Sequence, residues 1–222
     1  AAPEVQPKAR VEPLPQQELT GQILYQTLLA EIAGQRGNLD LSASAYMDLA
    51  RPTRDPRVAR RAADMPLHGR NLDMALQATR LWVEIDPESS QAHQMMAGLL
   101  VSANRLDELQ PHVAKLLAQE GENLGDGLMR LNRLFARYPE KKGVLAMVEQ
   151  LTQPYVGLPE AHFARAQAAL NAAEWRRGIA GADKALDLRP DWDLAVMLKA
   201  QLQRTESPEA AIETLRAYLA GH

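Results

Sequence analysis

The densest group of side chains that could bind a charged ligand is a run of arginines. Five of them fall between residues 51 and 61, namely Arg51, Arg54, Arg57, Arg60 and Arg61. A guanidinium binds a carboxylate through two parallel hydrogen bonds, so the run could bind acidic groups of another molecule. Alternatively, the run is a solvated surface whose arginines pair with Asp55 and Asp64, the usual arrangement of a charge run. The sequence leaves both interpretations open.

The remaining polar residues form no recognisable catalytic or metal-binding pattern. The histidines His68, His93, His112, His162 and His222 lack the spacing that places two metal ligands on one helix face. The chain has no cysteine and no Gly-x-Ser-x-Gly motif. The glycine-rich stretch 121–127 is not followed by Lys-Ser or Lys-Thr, and we interpret it as a flexible loop. We therefore predict no enzyme activity, no catalytic residue, no metal and no cofactor.

One stretch, residues 159–190, shows most clearly how the chain is built. It reads PEAHFARAQAALNAAEWRRGIAGADKALDLRP, with two helix-period runs separated by a short break. Ala166 lies in the first run and Gly178 and Ala182 lie in the second. Such small residues allow two antiparallel helices to approach closely, and Pro190 cannot continue a helix. The pattern predicts a helix hairpin.

Similar hairpins are predicted along most of the chain. Proline or glycine breaks at positions 56, 87, 121, 154, 190 and 221 lie 31 to 36 residues apart. No segment alternates apolar and polar residues with the period of a strand. Only 5% of the residues are aromatic, a composition that favours helices over sheets. We predict an all-α fold of about twelve helices in six hairpins.

A two-helix repeat of about 34 residues resembles the tetratricopeptide repeat (TPR) family. Two hairpins also carry small residues and a closing proline at the spacing that the family prefers. They are Ala63, Ala75 and Pro87 in one hairpin, and Ala166, Gly178 and Pro190 in the other. The resemblance implies a right-handed superhelical solenoid in which the first helix of each hairpin lines a concave protein-binding surface.

The inner-surface positions of that family correspond here to charged, amide and aromatic side chains. The predicted protein-binding residues are Arg57, Arg60, Asp64, Gln91, Gln94, Glu160 and Phe163. This mixture suits an extended or helical peptide rather than a small molecule. Phe163 either anchors such a peptide or packs between repeats. The lysine and asparagine pattern with which some members clamp a C-terminal carboxylate is absent.

The two ends of the chain give expectations about domain organisation and location. Residues 1–17 contain four prolines and predict a disordered or extended tail, while residues 18–222 predict a single repeat domain that continues in a longer native chain. A net charge of −3 argues against nucleic-acid binding, and no apolar run reaches the roughly 20 residues of a membrane span. The start AAPEVQP is typical of a processed exported protein. We expect a periplasmic location, with outer-membrane anchoring in the native form; a cytoplasmic location is the alternative.

The segments LTGQILYQTLLAEIAGQRGNLDLSASAYMDLA and DPESSQAH are similar to TPR lipoproteins of Gram-negative envelopes. That resemblance implies a non-catalytic adaptor that docks a periplasmic carboxyl-terminal processing protease and brings it its substrates. A cell-wall enzyme is the other protein partner that we consider. Two alternatives remain: a scaffold for pilus or outer-membrane assembly, and the binding module of a larger enzyme. The sequence defines neither the partner nor the oligomeric state.

Overall fold

The computed structural model describes residues 15–221, which form twelve α-helices and two 3₁₀ turns. The first six helices are α1 (Gly21–Gln35), α2 (Leu39–Thr53), α3 (Pro56–Gly69), α4 (Leu72–Ile85), α5 (Ser90–Ser102) and α6 (Leu106–Gln119). The others are α7 (Leu124–Leu134), α8 (Lys141–Thr152), α9 (Pro159–Asn171), α10 (Trp175–Leu188), α11 (Asp193–Glu206) and α12 (Pro208–Gly221). Because residues 1–14 lie outside the described part, the predicted N-terminal tail stays a prediction.

The helices follow one another as hairpins of nearly constant length. The odd-numbered helices begin at residues 21, 56, 90, 124, 159 and 193, so successive starts lie 34 or 35 residues apart. Within the pairs, α1 packs on α2, α3 on α4, α9 on α10 and α11 on α12. Residues 15–221 contain no strand. The prediction of an all-α fold with about six TPR-like hairpins is confirmed.

Contacts between helices divide the chain into two compact units, with the boundary between Ala92 and His93 inside α5. In the first unit, α2 packs against α1 and α3, and α3 packs against α4. In the second unit, α9 contacts α7, α8 and α10, and α11 contacts α10 and α12. The prediction of one repeat domain over residues 18–222 stays a prediction.

Polar side chains begin the helices of the first unit. The first backbone N–H groups of a helix have no partner within it, and a preceding Ser, Thr, Asp or Asn can accept from one of them. Asn38 accepts from the N–H of Leu41 at 3.3 Å, and Asn71 accepts from the N–H of Met74 at 3.1 Å. These caps fix where α2 and α4 begin.

Asp55 begins α3 and is the most enclosed of these caps. One carboxylate oxygen accepts from the backbone N–H of Arg57 at 2.9 Å, and the Arg57 guanidinium donates to both oxygens at 2.6 to 3.2 Å. Only 11% of the Asp55 side chain is exposed, so these bonds are partly shielded from water. The Arg57 hydrogen bonds lower the pKa of Asp55 below its usual value. Its ionised form is therefore stabilised in the folded chain.

We expect Asp55→Ala to reduce the free energy of unfolding by about 1 kcal/mol at neutral pH, since it removes the cap. Because the folded-state pKa of Asp55 is depressed, its contribution is present above the unfolded pKa of about 3.9 and is lost as the pH falls through the lower folded value. The difference from the native chain should therefore shrink in acid. Urea unfolding at neutral pH and at a pH below the folded-state pKa of Asp55 measures this difference in the free energy of unfolding. Asp55→Asn, which keeps a capping oxygen, is the control; equal unfolding of native chain and Asp55→Ala would contradict the cap.

The glycine-rich stretch 121–127 differs from its predicted loop structure. Residues Gly121–Asn123 form a 3₁₀ turn, and the next four residues already belong to the first turn of α7. A Cβ atom at Gly127 would lie 3.2 Å from Cγ of Glu120 and 3.3 Å from Cδ2 of Leu117. The glycine thus serves a close approach between the start of α7 and the end of α6, and the loop prediction was wrong for residues 124–127.

Small residues bring the helices of the second unit close together. A Cβ atom at Gly181 of α10 would lie 3.2 Å from Cβ of Ala166 on α9. On another side of α10, a Cβ atom at Gly178 would lie only 2.4 Å from Cδ2 of Leu202 on α11. Ala166, Ala182 and Leu202 are fully buried in one apolar cluster. The small residues predicted to allow close helix packing therefore do so.

The lengths and polarity of the helices also bear on membranes. Among the described residues, no helix combines the length and the apolar character that a membrane crossing requires.

Candidate functional site

A predominantly apolar opening of the second unit, here called the apolar cleft, lies between α9, α11 and α12. It has a volume of about 610 Å³. Its lining residues are Phe163, Gln167, Leu194, Met197, Leu198, Ala200, Gln201, Arg204, Pro208, Ala211, Ile212 and Leu215. Phe163, Leu198 and Ala211 are buried, whereas Leu194, Met197 and Ile212 are 56%, 61% and 49% exposed. The cleft therefore presents large apolar side chains to solvent.

The amino-acid pattern of α11 explains why these side chains remain exposed. Ala195, Leu198 and Leu202 recur at helical spacing and are buried, and Leu202 packs against α10. Leu194 and Met197 lie one residue before Ala195 and Leu198 and form a second apolar stripe on the same helix. A surface helix that packs on one side normally has a polar opposite face. The second stripe exceeds what the packing of this unit uses, which is typical of an interaction surface.

Polar groups at the apolar cleft are few and lie at its edge. Gln201 and Arg204 are exposed, and Gln167 of α9 is partly exposed. Among the described residues, no carboxylate forms an ion pair with Arg204. The cleft therefore offers an apolar surface with amide groups and one cation beside it.

Two of the predicted binding residues, Glu160 and Phe163, are linked to each other through Trp192 and Arg189. The Phe163 ring stacks on Trp192, with ring centroids 4.9 Å apart. The Arg189 guanidinium lies 4.7 Å from the centroid of Trp192 and forms an ion pair with Glu160. Phe163 is only 7% exposed. It contributes to the buried wall of the apolar cleft and at the same time packs between helices, so it has features of both alternatives raised by the sequence.

The arginine run in the first unit is matched by carboxylates of the same unit. Each arginine has its own acidic partner: Arg51 with Asp48, Arg54 with Glu84, Arg57 with Asp55, Arg60 with Asp64 and Arg61 with Glu31. The distances range from 2.6 Å for Arg57 to 3.8 Å for Arg60. A ligand carboxylate would have to compete with these internal partners. The pairing with Asp55 and Asp64 agrees with the solvated-surface interpretation, and binding through Arg57, Arg60 and Asp64 stays a prediction.

A small polar network accompanies the last arginine of the run. Tyr46 of α2 donates a hydrogen bond to Glu31 of α1, and Arg61 of α3 donates to the same carboxylate at 3.1 Å. The Tyr46 hydrogen bond, followed by the Arg61 hydrogen bond, lowers the pKa of Glu31. Burial raises the pKa of Tyr46. The three groups therefore tie α1, α2 and α3 together, which is a structural role.

Gln91 and Gln94 lie on α5, on either side of the boundary between the two units. Both side chains are exposed. Their role in binding stays a prediction.

Histidines hold structural positions in the second unit. His93 and His112 approach through their Nδ1 atoms at 2.9 Å, which joins α5 to α6. Nε2 of His162 lies 2.9 Å from the carbonyl oxygen of Val156. Among residues 15–221, no group of three or more His, Cys, Asp or Glu side chains is arranged to hold a metal ion.

The repeat geometry defines this class of protein as an array of TPR-like helix hairpins, and the comparisons with known proteins agree with it. A stretch of 132 residues, 60% of the chain, is 30% identical to a TPR repeat-containing protein of Pseudomonas aeruginosa. The match covers 22% of the length of that relative. No family model matches the chain.

Solved structures include distant matches to the chain. YrrB, described as a TPR protein with an unusual peptide-binding site, is 18% identical with a TM-score of 0.46, over 80% of this chain and 92% of that chain. PilW, a type IV pilus biogenesis factor, is 14% identical with a TM-score of 0.44, over 91% of this chain and 94% of that chain.

Sequence reasoning did not single out Leu194, Met197, Arg204 and Ile212 as a site. Leu194, Met197 and Ile212 each fit the helical period and are therefore indistinguishable in sequence from residues of an ordinary buried face. The available signal was the double apolar stripe of α11, in which residues 194 and 197 accompany 195, 198 and 202. Helical spacing alone does not tell which of two stripes faces a neighbour.

Proposed function

We propose that the chain is a non-catalytic protein-interaction scaffold that binds a segment of a partner protein in the apolar cleft. The observation that carries this proposal is the exposure of Leu194, Met197 and Ile212 around a cleft of about 610 Å³. Fully burying a side chain such as Leu, Ile or Met contributes about 1.5–3 kcal/mol, so covering several of them supports stable association.

The composition of the apolar cleft indicates the chemistry of the bound segment. Its apolar stripe would meet apolar side chains of the segment, as when an amphipathic helix lies in a groove. Arg204 would pair with a carboxylate of that segment, and Gln167 and Gln201 would bond to its polar groups. We infer an amphipathic, predominantly apolar segment that carries at least one acidic residue.

For the biological setting, we propose an adaptor in the periplasm of a Gram-negative bacterium that brings a carboxyl-terminal processing protease to its substrates. The support for this is the resemblance of residues 19–50 and of DPESSQAH to TPR lipoproteins of bacterial envelopes. Similarity to a Pseudomonas TPR protein is compatible with the proposal.

The test is capture of partners from a Gram-negative envelope extract on the native chain and on Ile212→Glu. A carboxylate at position 212 replaces an apolar side chain that the bound segment would cover, so we expect the partner to be lost. Leu188→Glu is the matched control, because Leu188 is 48% exposed on α10 and does not line the cleft.

Mass spectrometry then identifies what the native chain and the control retain and the Ile212 variant loses. A processing protease in that fraction supports the adaptor role. If that fraction instead contains components of pilus or outer-membrane assembly, the chain is a scaffold for that assembly and not a protease adaptor. Equal retention by all three chains would contradict binding in the apolar cleft.

A further inference from the structure

A second opening of the second unit, here called the cationic cleft, lies between α8, α9 and α10. It has a volume of about 220 Å³ and shares no lining residue with the apolar cleft. Its lining residues with charge or a titratable ring are Glu149, His162, Arg165, Arg177 and Lys184. Ligand sites for drug-sized molecules span about 300–1,000 Å³, so this cleft suits a group the size of a single side chain.

Arg165 makes three hydrogen bonds at the cleft, more than Arg177 makes. Its Nε donates to Oγ1 of Thr152 at 2.6 Å, and its Nη2 donates to Oε1 of Gln153 at 3.0 Å and to the carbonyl oxygen of Glu149 at 3.3 Å. Burial lowers the pKa of Arg165, but a guanidinium keeps its charge at neutral pH. None of these acceptors is a carboxylate, and no described residue accepts from Nη1. The guanidinium is thus held in place by neutral acceptors, while the nearby Glu149 carboxylate, which pairs with Arg177, also acts on its charge.

Arg177 and Lys184 supply two further cations from α10. They lie seven residues apart, or two helical turns, and therefore share one face of the helix. Arg177 donates to both carboxylate oxygens of Glu149 at 2.6 and 2.8 Å. Lys184 is exposed and has no ion-pair partner among the described residues. The cleft accordingly holds three cations and a single carboxylate.

Small residues keep the space between these cations open. Ala169 of α9 and Ala180 and Gly181 of α10 complete the lining of the cleft. None of them has a side chain larger than a methyl group. His162 is buried, and its Nε2 is already engaged with the carbonyl oxygen of Val156. An entering group would therefore meet Arg165 and Lys184 across a short apolar floor.

We propose that the cationic cleft binds a carboxylate side chain of an acidic protein segment, with Arg165 and Lys184 as its principal ligands. The Nη1 group of Arg165 can donate to a carboxylate oxygen, because the other donors of this guanidinium are already engaged, and the ammonium of Lys184 adds a mobile second charge. Arg177 stays paired with Glu149 and shields that carboxylate from the incoming one. The proposal does not depend on occupancy of the apolar cleft.

The test uses the whole chain and a fluorescent peptide of consecutive glutamates, with a peptide of consecutive glutamines as the reference. Fluorescence anisotropy at low ionic strength measures the affinities. We expect the glutamate peptide to bind and the glutamine peptide not to bind. Binding should weaken with added salt, as it does for exposed charges.

Three variants separate the cleft from general charge attraction. Lys184→Gln should weaken binding about fivefold, in keeping with an exposed ion pair. Arg165→Lys keeps the charge but loses the Nη1 donor and the hydrogen bonds that hold it in place, and should weaken binding about tenfold. Arg176→Gln is the matched control: Arg176 lies on the same helix, its side chain is 90% exposed, and it does not line the cleft. It should bind as the native chain does, and circular dichroism checks that each variant is folded.

Equal weakening by Arg176→Gln and Lys184→Gln would overturn the proposal, as would absence of binding or equal binding of both peptides. Displacement of the glutamate peptide by polyphosphate at equal charge, with the same dependence on Lys184, would also overturn it in favour of a general anion site. Met197→Gln, in the apolar cleft, should leave peptide binding unchanged. The two proposals can therefore fail separately.

Discussion

Gly178→Leu is expected to lower the free energy of unfolding by about 3 kcal/mol or more, the upper end of the range for overpacking a core. A single Cβ atom at residue 178 would already lie 2.4 Å from Cδ2 and 3.1 Å from Cδ1 of Leu202. Leu202 is fully buried in an apolar cluster, where interiors are close-packed, so its side chain can yield only at the expense of its neighbours. A leucine at residue 178 must therefore push α10 away from α11, and the apolar cleft built on α11 would be distorted with it.

Urea unfolding followed by circular dichroism measures the effect, and Gly98→Leu is the matched control. Gly98 also lies inside a helix, α5, but a Cβ atom there meets nothing within 4 Å. Replacing it should leave the chain as stable or stabilise it by about 0.5–1 kcal/mol, because glycine is a poor helix former. If both variants unfold at the urea concentration of the native chain, the close packing of α10 on α11 is contradicted.

A second variant, Leu202→Ala, shows whether the clash is local. Alone it should cost about 2–5 kcal/mol, as expected for a buried leucine. Combined with Gly178→Leu, the total loss should be smaller than the sum of the two single losses, since one change makes the space that the other needs. If the two losses in the free energy of unfolding add, the leucine at residue 178 does not act through a clash with Leu202.

Met197→Glu is expected to weaken binding of the captured partner by at least about 30-fold, which corresponds to the roughly 2 kcal/mol of an interface hot spot. Met197 lies on the exposed stripe of α11 and is 61% exposed, so its replacement should not unfold the chain. In the complex, however, the new carboxylate would be buried among Leu194, Ile212 and the apolar side of the partner. An unpaired buried charge is strongly unfavourable.

Calorimetric titration of the purified partner into native and variant chains measures this effect. Met197→Leu preserves apolar character and volume and should bind within a few-fold of the native chain. Leu188→Glu adds the same charge to an exposed apolar position outside the cleft. If Leu188→Glu weakens binding as strongly as Met197→Glu, charge rather than the apolar cleft determines the affinity.

Much of the fold follows from local sequence features. Helix starts can be predicted from a capping side chain, with or without a proline after it, because the cap acts on the backbone of the next few residues only. In this way Asp55 and Pro56 predict the start of α3, Asn71 that of α4, and Ser207 and Pro208 that of α12. The repeat length then follows from the spacing of these starts. The 121–127 stretch was mispredicted because glycine signals flexibility in sequence but here serves helix contact, which depends on the residues opposite it.

The candidate sites could not be predicted from local sequence, because their side chains come from helices that are distant along the chain. The partners of Arg54 and Arg61, Glu84 and Glu31, are each 30 residues away, so the pairing of these two arginines cannot be read from neighbouring residues. The cationic cleft likewise joins Arg165 with residues of two other helices. Helical periodicity predicts that a side chain lies on a given face; it does not predict which element, if any, covers that face.

The central claim, that the apolar cleft is the binding surface, is tested most directly by site-specific photocrosslinking in an extract of a Gram-negative bacterium. A photoreactive side chain replaces Met197 in one chain and Leu188 in another, and adducts are identified by mass spectrometry. We predict a partner adduct from position 197 and none from position 188. An adduct of the same partner from position 188, with none from position 197, would contradict the claim.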